Sequence, residues 1–81
     1  MENYQTFIAQ YIAEKRGLEL ACIDMSADMF EQHYIDSLGV FTLLMELENA
    51  FNVRFDEQDM SDKKMHTIQG MARVIENKQS G

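Results

Sequence analysis

Ser37 is the side chain of this sequence around which chemistry could be organised. A carboxylate precedes it at Asp36, and an imidazole lies four residues earlier at His33. These are the residue types of a nucleophilic triad, but such a site also needs an oxyanion hole and a substrate cleft. The G-x-S-x-G elbow is absent around Ser37. The sequence therefore does not indicate a hydrolase.

The other polar residues of the sequence do not indicate a metal centre. Neither His33 nor His66 has a second His or Cys at ligand spacing, so we predict no metal centre. An acidic cluster lies in the second half of the chain but lacks the D-x-D-x-D-G loop of an EF-hand, so we interpret it as a solvated face with weak cation binding at most. Its members are Asp56, Glu57, Asp59 and Asp62.

A helix must position Ser37. Asp36 and Ser37 are both favourable helix-starting residues, and the periodic run that follows predicts a helix over residues 37–52. Capping alone would account for a serine here. A helix N-terminus also stabilises phosphate oxygens through free backbone N–H groups and the macrodipole, so a phosphodiester attached at Ser37 would be well placed.

This helix has more apolar residues than one buried face requires. At 3.6 residues per turn, one set falls within about 120° of arc and forms a core stripe; it comprises Val40, Leu43, Leu44, Leu47, Ala50 and Phe51. A second set, Leu38, Phe41 and Met45, is centred about 150° away and should face solvent.

The second set has the spacing of a partner-binding stripe. Polar residues on or beside it would give it an acidic rim: Thr42, Glu46, Glu48 and Asn49. We therefore predict that Leu38, Phe41, Met45, Glu46 and Glu48 bind partners. The alternative is that another element of the same domain covers the stripe, and the long first loop is the candidate for this.

The remaining pattern is helical. Apolar spacing and a basic end at Lys15 and Arg16 before Gly17 predict a first helix over residues 3–16. A long loop follows over residues 17–36, tethered by scattered apolar anchors: Leu18, Leu20, Ile23, Met29 and Phe30. Cys22, within this loop, should be a small buried or half-buried hydrophobe.

The second half of the chain predicts two further helices. Residues 54–66 suggest a loop with one short helical turn, and Thr67 is a candidate N-cap for a last helix that ends near Asn77. Strand signals are weak. We predict an all-α fold: a four-helix bundle of three main helices and one short helix, with a long first loop.

Length and charge limit the kinds of partner. At 81 residues we expect a single domain over residues 1–81, with a core at about 3–77 and a disordered tail at 78–81. The net charge of −7 argues against nucleic acid and favours basic partner surfaces. We see no secretory signal and no membrane-spanning segment, and expect a cytoplasmic protein, without membrane insertion, that is a monomer.

At Asp36-Ser37-Leu38 the sequence resembles the acyl carrier protein family, whose attachment motif is Asp-Ser-Leu at the start of its second helix. The context extends the resemblance over nearly the whole chain, because LLMELENAFNV at 43–53 and TIQGMARVIE at 67–76 also match the pattern. The resemblance implies a non-catalytic carrier. It also implies that a phosphopantetheinyl transferase attaches 4'-phosphopantetheine from coenzyme A to Ser37, with Asp36 and Leu38 completing the site.

The resemblance further implies that acyl or aminoacyl groups travel as thioesters on the arm and reach partner enzymes through helix two. Carriers of fatty acid synthesis typically have Gly-Ala before the aspartate and an acidic or hydroxyl residue after the leucine, whereas this chain has Tyr34-Ile35 and Gly39. That form is more similar to D-alanyl carrier proteins and to other discrete carriers loaded by adenylate-forming ligases. A D-alanyl carrier for envelope modification and a helical protein-interaction adaptor without an arm are the alternatives.

Overall fold

A computed structural model describes residues 3–80 of the chain. Four α-helices follow one another: α1 at Tyr4–Arg16, α2 at Ser37–Phe51, α3 at Glu57–Ser61 and α4 at Ile68–Ser80. Short 3₁₀ turns occupy Leu20–Cys22 and Lys63–His66. Within the described residues there is no β-strand, and the all-α fold predicted from the sequence is confirmed.

Local signals set the ends of α1. The Asn3 side chain accepts a hydrogen bond from the Thr6 N–H at 3.0 Å, which satisfies a free donor of the first turn. At the other end Gly17 has a φ of 67°, a left-handed conformation that glycine adopts at little cost. The helix therefore ends where the sequence predicts.

The long first loop is tied to the start of α4. The Met29 N–H donates to the His66 carbonyl at 2.7 Å, and the Gln69 N–H donates to the Met25 carbonyl at 3.0 Å. An isolated antiparallel bridge joins Asp28 to Thr67. These backbone bonds hold the loop against the junction between the second 3₁₀ turn and α4.

Only some of the residues that we predicted to anchor this loop are buried. Ile23 and Met29 are buried and Phe30 is half-buried, but Leu18 and Leu20 are exposed. Two anchors that the sequence did not indicate are Tyr34 and Ile35, both buried; the Tyr34 hydroxyl accepts from the Asp24 N–H at 3.0 Å. Cys22 is exposed, so its assignment as a buried hydrophobe is wrong.

Helix α4 is longer than expected. The Thr67 hydroxyl accepts from the Gly70 N–H at 2.9 Å, which confirms Thr67 as the N-cap. The predicted end near Asn77 is wrong, since α4 continues to Ser80. Lys78 forms an ion pair with Asp59 at 2.8 Å and Gln79 donates to the Phe51 carbonyl, so long-range contacts stabilise a turn that we expected to fray.

One core joins the four helices. Its fully buried large side chains come from every long helix and from the first loop: Ile8, Ile12, Met29, Leu43, Leu47, Ile68, Met71 and Ile75. The rings of Tyr4 and Phe7 contact that of Phe51 edge-on, with centroids 4.9 and 5.0 Å apart. Ala50 is exposed although we placed it in the core stripe, and Val40 is half-buried.

Candidate functional site

Ser37 is the first residue of α2, as predicted, and its side chain is exposed. Asp36 is the N-cap: its Oδ1 accepts from the Gly39 N–H at 2.6 Å. The carbonyl of Asp36 accepts the first intrahelical bond, from the Val40 N–H at 2.9 Å. Because the earliest N–H groups of a helix have no partner inside it, the Ser37 hydroxyl lies at the positive end of α2.

A groove of about 250 Å³ opens beside Ser37. The serine contributes to its lining, and the other walls come from the first loop, α2, α3 and the second 3₁₀ turn. Most of the lining is apolar: Phe30, Val40, Phe41, Leu44, Met60 and Met65. His66 adds an imidazole. We call this the Ser37 groove.

The sequence did not indicate this groove. Phe30 appeared only as a loop anchor, and His66 as a residue on the approach to the last helix. Their position beside Ser37 depends on the loop-to-α4 hydrogen bonds, which join segments more than 30 residues apart and leave no periodic signal. In the structure His66 does precede α4, within the 3₁₀ turn Lys63–His66.

The imidazole of His66 is held from two sides. Its Nδ1 lies 3.4 Å from Oδ2 of Asp28, and its ring meets that of Phe30 edge-on, with centroids 5.1 Å apart. The other oxygen of Asp28 accepts from the N–H groups of Phe30 at 2.8 Å and Glu31 at 3.2 Å. The Glu31 N–H, with smaller effects of the Phe30 N–H and His66, holds the pKa of Asp28 below its ordinary value despite some desolvation.

A second groove, of about 300 Å³, lies on the α1 side of the same helix end. The end of α1 contributes Lys15 and Arg16, and α2 contributes Leu38 and Thr42. Asp36 also lines it. Residues 36–38 therefore lie between two grooves: the Ser37 groove, which is mostly apolar, and this second groove, whose wall includes the cationic side chains of Lys15 and Arg16.

The second apolar set of α2 faces solvent. Leu38 is 77% exposed, Phe41 51% and Met45 63%, so the first loop does not cover them. Among the predicted rim residues, Glu46 is exposed, but Glu48 is half-buried and its carboxylate accepts from the Phe55 N–H at 3.0 Å. Glu48 thus also fixes the chain after α2, a role that the helical pattern did not indicate.

The acidic cluster is largely a set of helix caps. Asp56 and Asp59 form a reciprocal capping box around the first turn of α3, and the Asp62 side chain accepts from the Lys64 N–H at 2.9 Å. Across residues 3–80, no group of His, Cys, Asp and Glu side chains is arranged to hold a metal ion. His33 is an exposed loop residue with a φ of 60°.

A comparison with known protein families agrees with this geometry. The model of the family described as "Phosphopantetheine attachment site" matches residues 6–75. The chain belongs to this family. Its members carry a phosphopantetheine prosthetic group. Carrier proteins of this kind are generally not catalysts themselves.

Curated relatives of this carrier cover most of its length. It is 25% identical over 73 residues to an acyl carrier protein of Kocuria rhizophila, and the aligned region covers 90% of this chain and 88% of that relative. It is 28% identical over 71 residues to an acyl carrier protein of Thermotoga maritima, and the aligned region covers 88% of this chain and 85% of that relative. It is 29% identical over 55 residues to a D-alanyl carrier protein of Lactococcus lactis, and the aligned region covers 68% of this chain and 70% of that relative.

These relatives support the resemblance inferred from the attachment motif and its context. They include both acyl and D-alanyl carriers at similar identity. Among the described residues, no helix of this carrier is long and apolar enough to cross a membrane.

Proposed function

We propose that this protein carries acyl or aminoacyl groups as thioesters on 4'-phosphopantetheine attached to Ser37, and that it delivers them to enzymes of a specialised biosynthetic pathway. The observation that carries the proposal is the exposed Ser37 hydroxyl at the first position of α2, with Asp36 as its N-cap. Leu38 follows and is exposed as well, so the whole attachment motif is open to a modifying enzyme.

Attachment is a phosphoryl-group transfer in which the carrier supplies only the nucleophile. The Ser37 oxygen forms a bond to the phosphorus next to the pantetheine part of coenzyme A. The bond from that phosphorus to the diphosphate bridge breaks, and adenosine 3',5'-bisphosphate leaves. A base of the phosphopantetheinyl transferase takes the hydroxyl proton. The positive end of α2 then stabilises the charge of the new phosphodiester.

The arm supplies a thiol on which cargo is held as a thioester, and the protein supplies position. Tethering raises the concentration of cargo that a docked enzyme meets. The exposed stripe Leu38, Phe41 and Met45, with Glu46 beside it, supports the proposal that α2 docks these enzymes. Partners with basic surfaces, among them an adenylate-forming ligase that loads the arm, complement the net charge of −7. We propose that the protein acts in the cytoplasm as a monomer.

A mass measurement tests the attachment. The protein is incubated with coenzyme A and a broad-range phosphopantetheinyl transferase, and the intact mass is then recorded. We expect one phosphopantetheine adduct on the wild type and none on Ser37→Ala. Ser26→Ala, which removes an exposed serine of the first loop, is the matched control and should load fully. Absence of the adduct from folded wild-type protein would refute the proposal.

The D-alanyl carrier of Lactococcus lactis among the relatives favours a second candidate, an aminoacyl carrier for envelope modification. Loaded carrier is offered to a D-alanine ligase and to fatty acyl ligases, each with ATP, and the thioester is identified by mass. Transfer of D-alanine alone would select this second candidate.

The exposed stripe favours a third candidate, an adaptor that binds one protein through α2 and needs no arm. In that case Ser37→Ala would keep biological function, and Met45→Glu would abolish it. For a carrier, Ser37→Ala abolishes function completely. Complementation of a deletion strain with each variant separates the two.

A further inference from the structure

Two cations line the second groove without an ion pair of their own. Lys15 and Arg16 are exposed at the end of α1, and among residues 3–80 neither is paired with a carboxylate. Asp36 lines the same groove, but its carboxylate caps α2 through the Gly39 N–H. The negative end of the α1 dipole amounts to about half a charge, so together with Asp36 it offsets less than two positive charges. The wall of the groove therefore stays positive on a protein whose net charge is −7.

The rest of the lining is mainly aromatic and aliphatic. Tyr11 is half-buried, Tyr34 and Ile35 are buried, and all three line the groove. Gly39, in the first turn of α2, contributes backbone alone. A Cβ there would lie 3.0 Å from Oδ1 of Asp36 and 3.1 Å from Cγ1 of Ile35, so a side chain would crowd the N-cap. Recognition sites commonly combine apolar walls that supply contact with a few charged groups that fix orientation.

The residues that separate this chain from the fatty acid synthesis pattern meet at this groove. They are Tyr34, Ile35 and Gly39, and all of them line it. None of the three is among the residues that line the Ser37 groove. Because Asp36 and Leu38 line the second groove too, an enzyme that acts on an arm at Ser37 comes close to it. The groove is therefore placed where a ligase can distinguish this carrier from carriers of fatty acid synthesis.

The size of the groove limits its occupant. At about 30 Å³ per water-sized group, a volume of about 300 Å³ has room for roughly ten non-hydrogen atoms. That is enough for one or two side chains of a docked protein and too little for a helix. A carboxylate suits the positive wall, because hydrogen bonds between arginine and a carboxylate are stronger than those between neutral groups. An apolar neighbour of that carboxylate can lie against the ring of Tyr11.

We propose that the second groove receives an acidic side chain of the adenylate-forming ligase, and that this side chain pairs with Lys15 and Arg16. The proposal rests on the carriage of thioesters on Ser37 proposed above. The ligase then presents a basic surface to Glu46 on the exposed face of α2 and an acidic group to the groove. Two neighbouring contacts of opposite polarity fix the orientation of the docked ligase. An enzyme whose docking surface is basic throughout is repelled by the two cations.

Thioester formation in an extract of the native host tests the docking. Each variant is first loaded in vitro with the broad-range phosphopantetheinyl transferase and coenzyme A, and mass spectrometry confirms complete loading. It is then added, with ATP, to a soluble extract of cells that lack their own copy of the carrier. The initial rate of thioester formation is read from the intact mass, at carrier concentrations where the rate rises linearly and reports kcat/KM.

Two charge variants and one control isolate the cations. Lys15→Gln/Arg16→Gln should form the thioester several-fold more slowly than the wild type. Lys15→Glu/Arg16→Glu should be slower by about tenfold or more, because like charges then face each other. Arg54→Glu/Arg73→Glu makes the same change of net charge at exposed positions outside the groove and should keep the wild-type rate. Circular dichroism confirms that each variant is folded.

Thr42→Phe tests the groove itself without a change of charge. Thr42 is exposed and lines the groove from α2, so the larger ring should occupy the groove and slow thioester formation several-fold. Gln10→Phe adds the same ring at an exposed position of α1 outside the groove and should keep the wild-type rate. If Thr42→Phe also keeps the wild-type rate, no ligase side chain enters the groove.

The outcomes separate this proposal from the proposed function. A thioester that forms equally fast on the wild type and on Lys15→Glu/Arg16→Glu would overturn the docking site and leave carriage on Ser37 intact. Equal losses in that variant and in Arg54→Glu/Arg73→Glu would do the same, since net charge would then be responsible. An equal loss in the rate of loading by the transferase would assign the groove to that enzyme rather than to the ligase. Absence of any thioester on fully loaded wild type would remove both the ligase and this docking site.

Discussion

The imidazole Nδ1 of His66 lies 3.4 Å from the carboxylate of Asp28, across the junction between the first loop and α4. The backbone is paired at the same place, since Met29 donates to His66 and Asp28 bridges to Thr67. One wall of the Ser37 groove therefore depends on a contact between two segments distant in sequence. A change at Asp28 should affect both the stability of the loop and the shape of the groove.

Asp28→Asn should reduce the sensitivity of the fold to acid. The hydrogen bond from the Glu31 N–H is the main cause that lowers the pKa of Asp28 in the folded protein. Ionised Asp28 therefore stabilises the fold, and this stabilisation is fully present above about pH 4, the ordinary pKa of an aspartate. It is lost as the pH falls through the lowered pKa of the folded protein. The amide keeps an acceptor for the Glu31 N–H but cannot ionise. Urea unfolding at pH 7, 5 and 3 should show that the unfolding free energy falls less with acidification in Asp28→Asn than in the wild type.

Two further aspartates, Asp24 and Asp59, also have a lowered pKa, so some acid sensitivity should remain in Asp28→Asn. Glu31→Gln, at an exposed position in the same loop, is the control and should keep the wild-type profile. Equal losses for the wild type and Asp28→Asn would contradict the prediction.

Asp36→Ala should destabilise the protein through loss of a helix cap. Its carboxylate satisfies the Gly39 N–H, and removal of such a cap typically costs about 1 kcal/mol. Asn is an equally good N-cap, so Asp36→Asn should stay within about 0.5 kcal/mol of the wild type. Chemical denaturation of all three proteins checks this, and equal losses for the two variants would show that charge rather than capping is responsible.

The helix boundaries were predictable where a capping residue in the sequence determines them. Asp36, Thr67 and Gly17 are caps that can be identified in the sequence, and each ends or begins a helix as expected. Periodicity also separated the large apolar side chains of the two faces of α2, but it was wrong at Ala50, which is exposed. The errors at Leu18 and Cys22 lie in the loop, where burial depends on tertiary packing rather than on a repeating pattern.

The Ser37 groove illustrates the same limit. Ser37 itself was predictable, because its neighbours in the sequence place it on a helix end. Its groove partners Phe30 and His66 were not, because backbone hydrogen bonds between the first loop and the α4 junction bring them together. Glu48 shows a related effect, since a residue that helical spacing places on a solvent-facing rim is bonded to the backbone of Phe55.

Substitutions on the two faces of α2 should separate stability from docking. Leu47 is fully buried and Met45 is 63% exposed. Leu47→Ala should lose about 2–5 kcal/mol of unfolding free energy because it leaves a cavity, whereas Met45→Ala should change it by less than about 0.5 kcal/mol. Denaturant unfolding measures both values. A large loss for Met45→Ala would mean that its side chain packs within the domain.

Met45→Glu tests the proposed docking role of the exposed face. We expect unchanged stability and at least a several-fold lower kcat/KM of a phosphopantetheinyl transferase for the protein in the attachment reaction proposed above, because a charge replaces an apolar contact. Gln58→Glu adds the same charge at an exposed position on α3 and is the matched control. If both variants lose rate equally, net charge and not the α2 face controls recognition.

Gly70→Ala should destabilise the junction between the second 3₁₀ turn and α4. A Cβ at Gly70 would lie only 2.0 Å from the Lys64 carbonyl oxygen, so the backbone of the turn must shift. Such overpacking typically costs about 1–3 kcal/mol and here outweighs the better helix propensity of alanine. Gln69→Ala, at the exposed neighbour on α4, should be nearly neutral. Thermal unfolding of both variants provides the comparison.

Lys78→Gln should release the last turn of α4. Burial acts to raise the pKa of Asp59, but the Lys78 ammonium and the Asp56 N–H outweigh it and hold that pKa below its ordinary value. The 2.8 Å pair is only partly exposed, and Lys78 also lies over the ring of Phe55 at 5.7 Å. Its loss should cost up to about 1 kcal/mol, with amide exchange becoming faster over residues 77–80. Lys63→Gln, at an exposed lysine of the second 3₁₀ turn, is the control and should leave amide exchange over residues 77–80 unchanged. Equal exchange rates in Lys78→Gln and the wild type would show that the ion pair does not stabilise the end of α4.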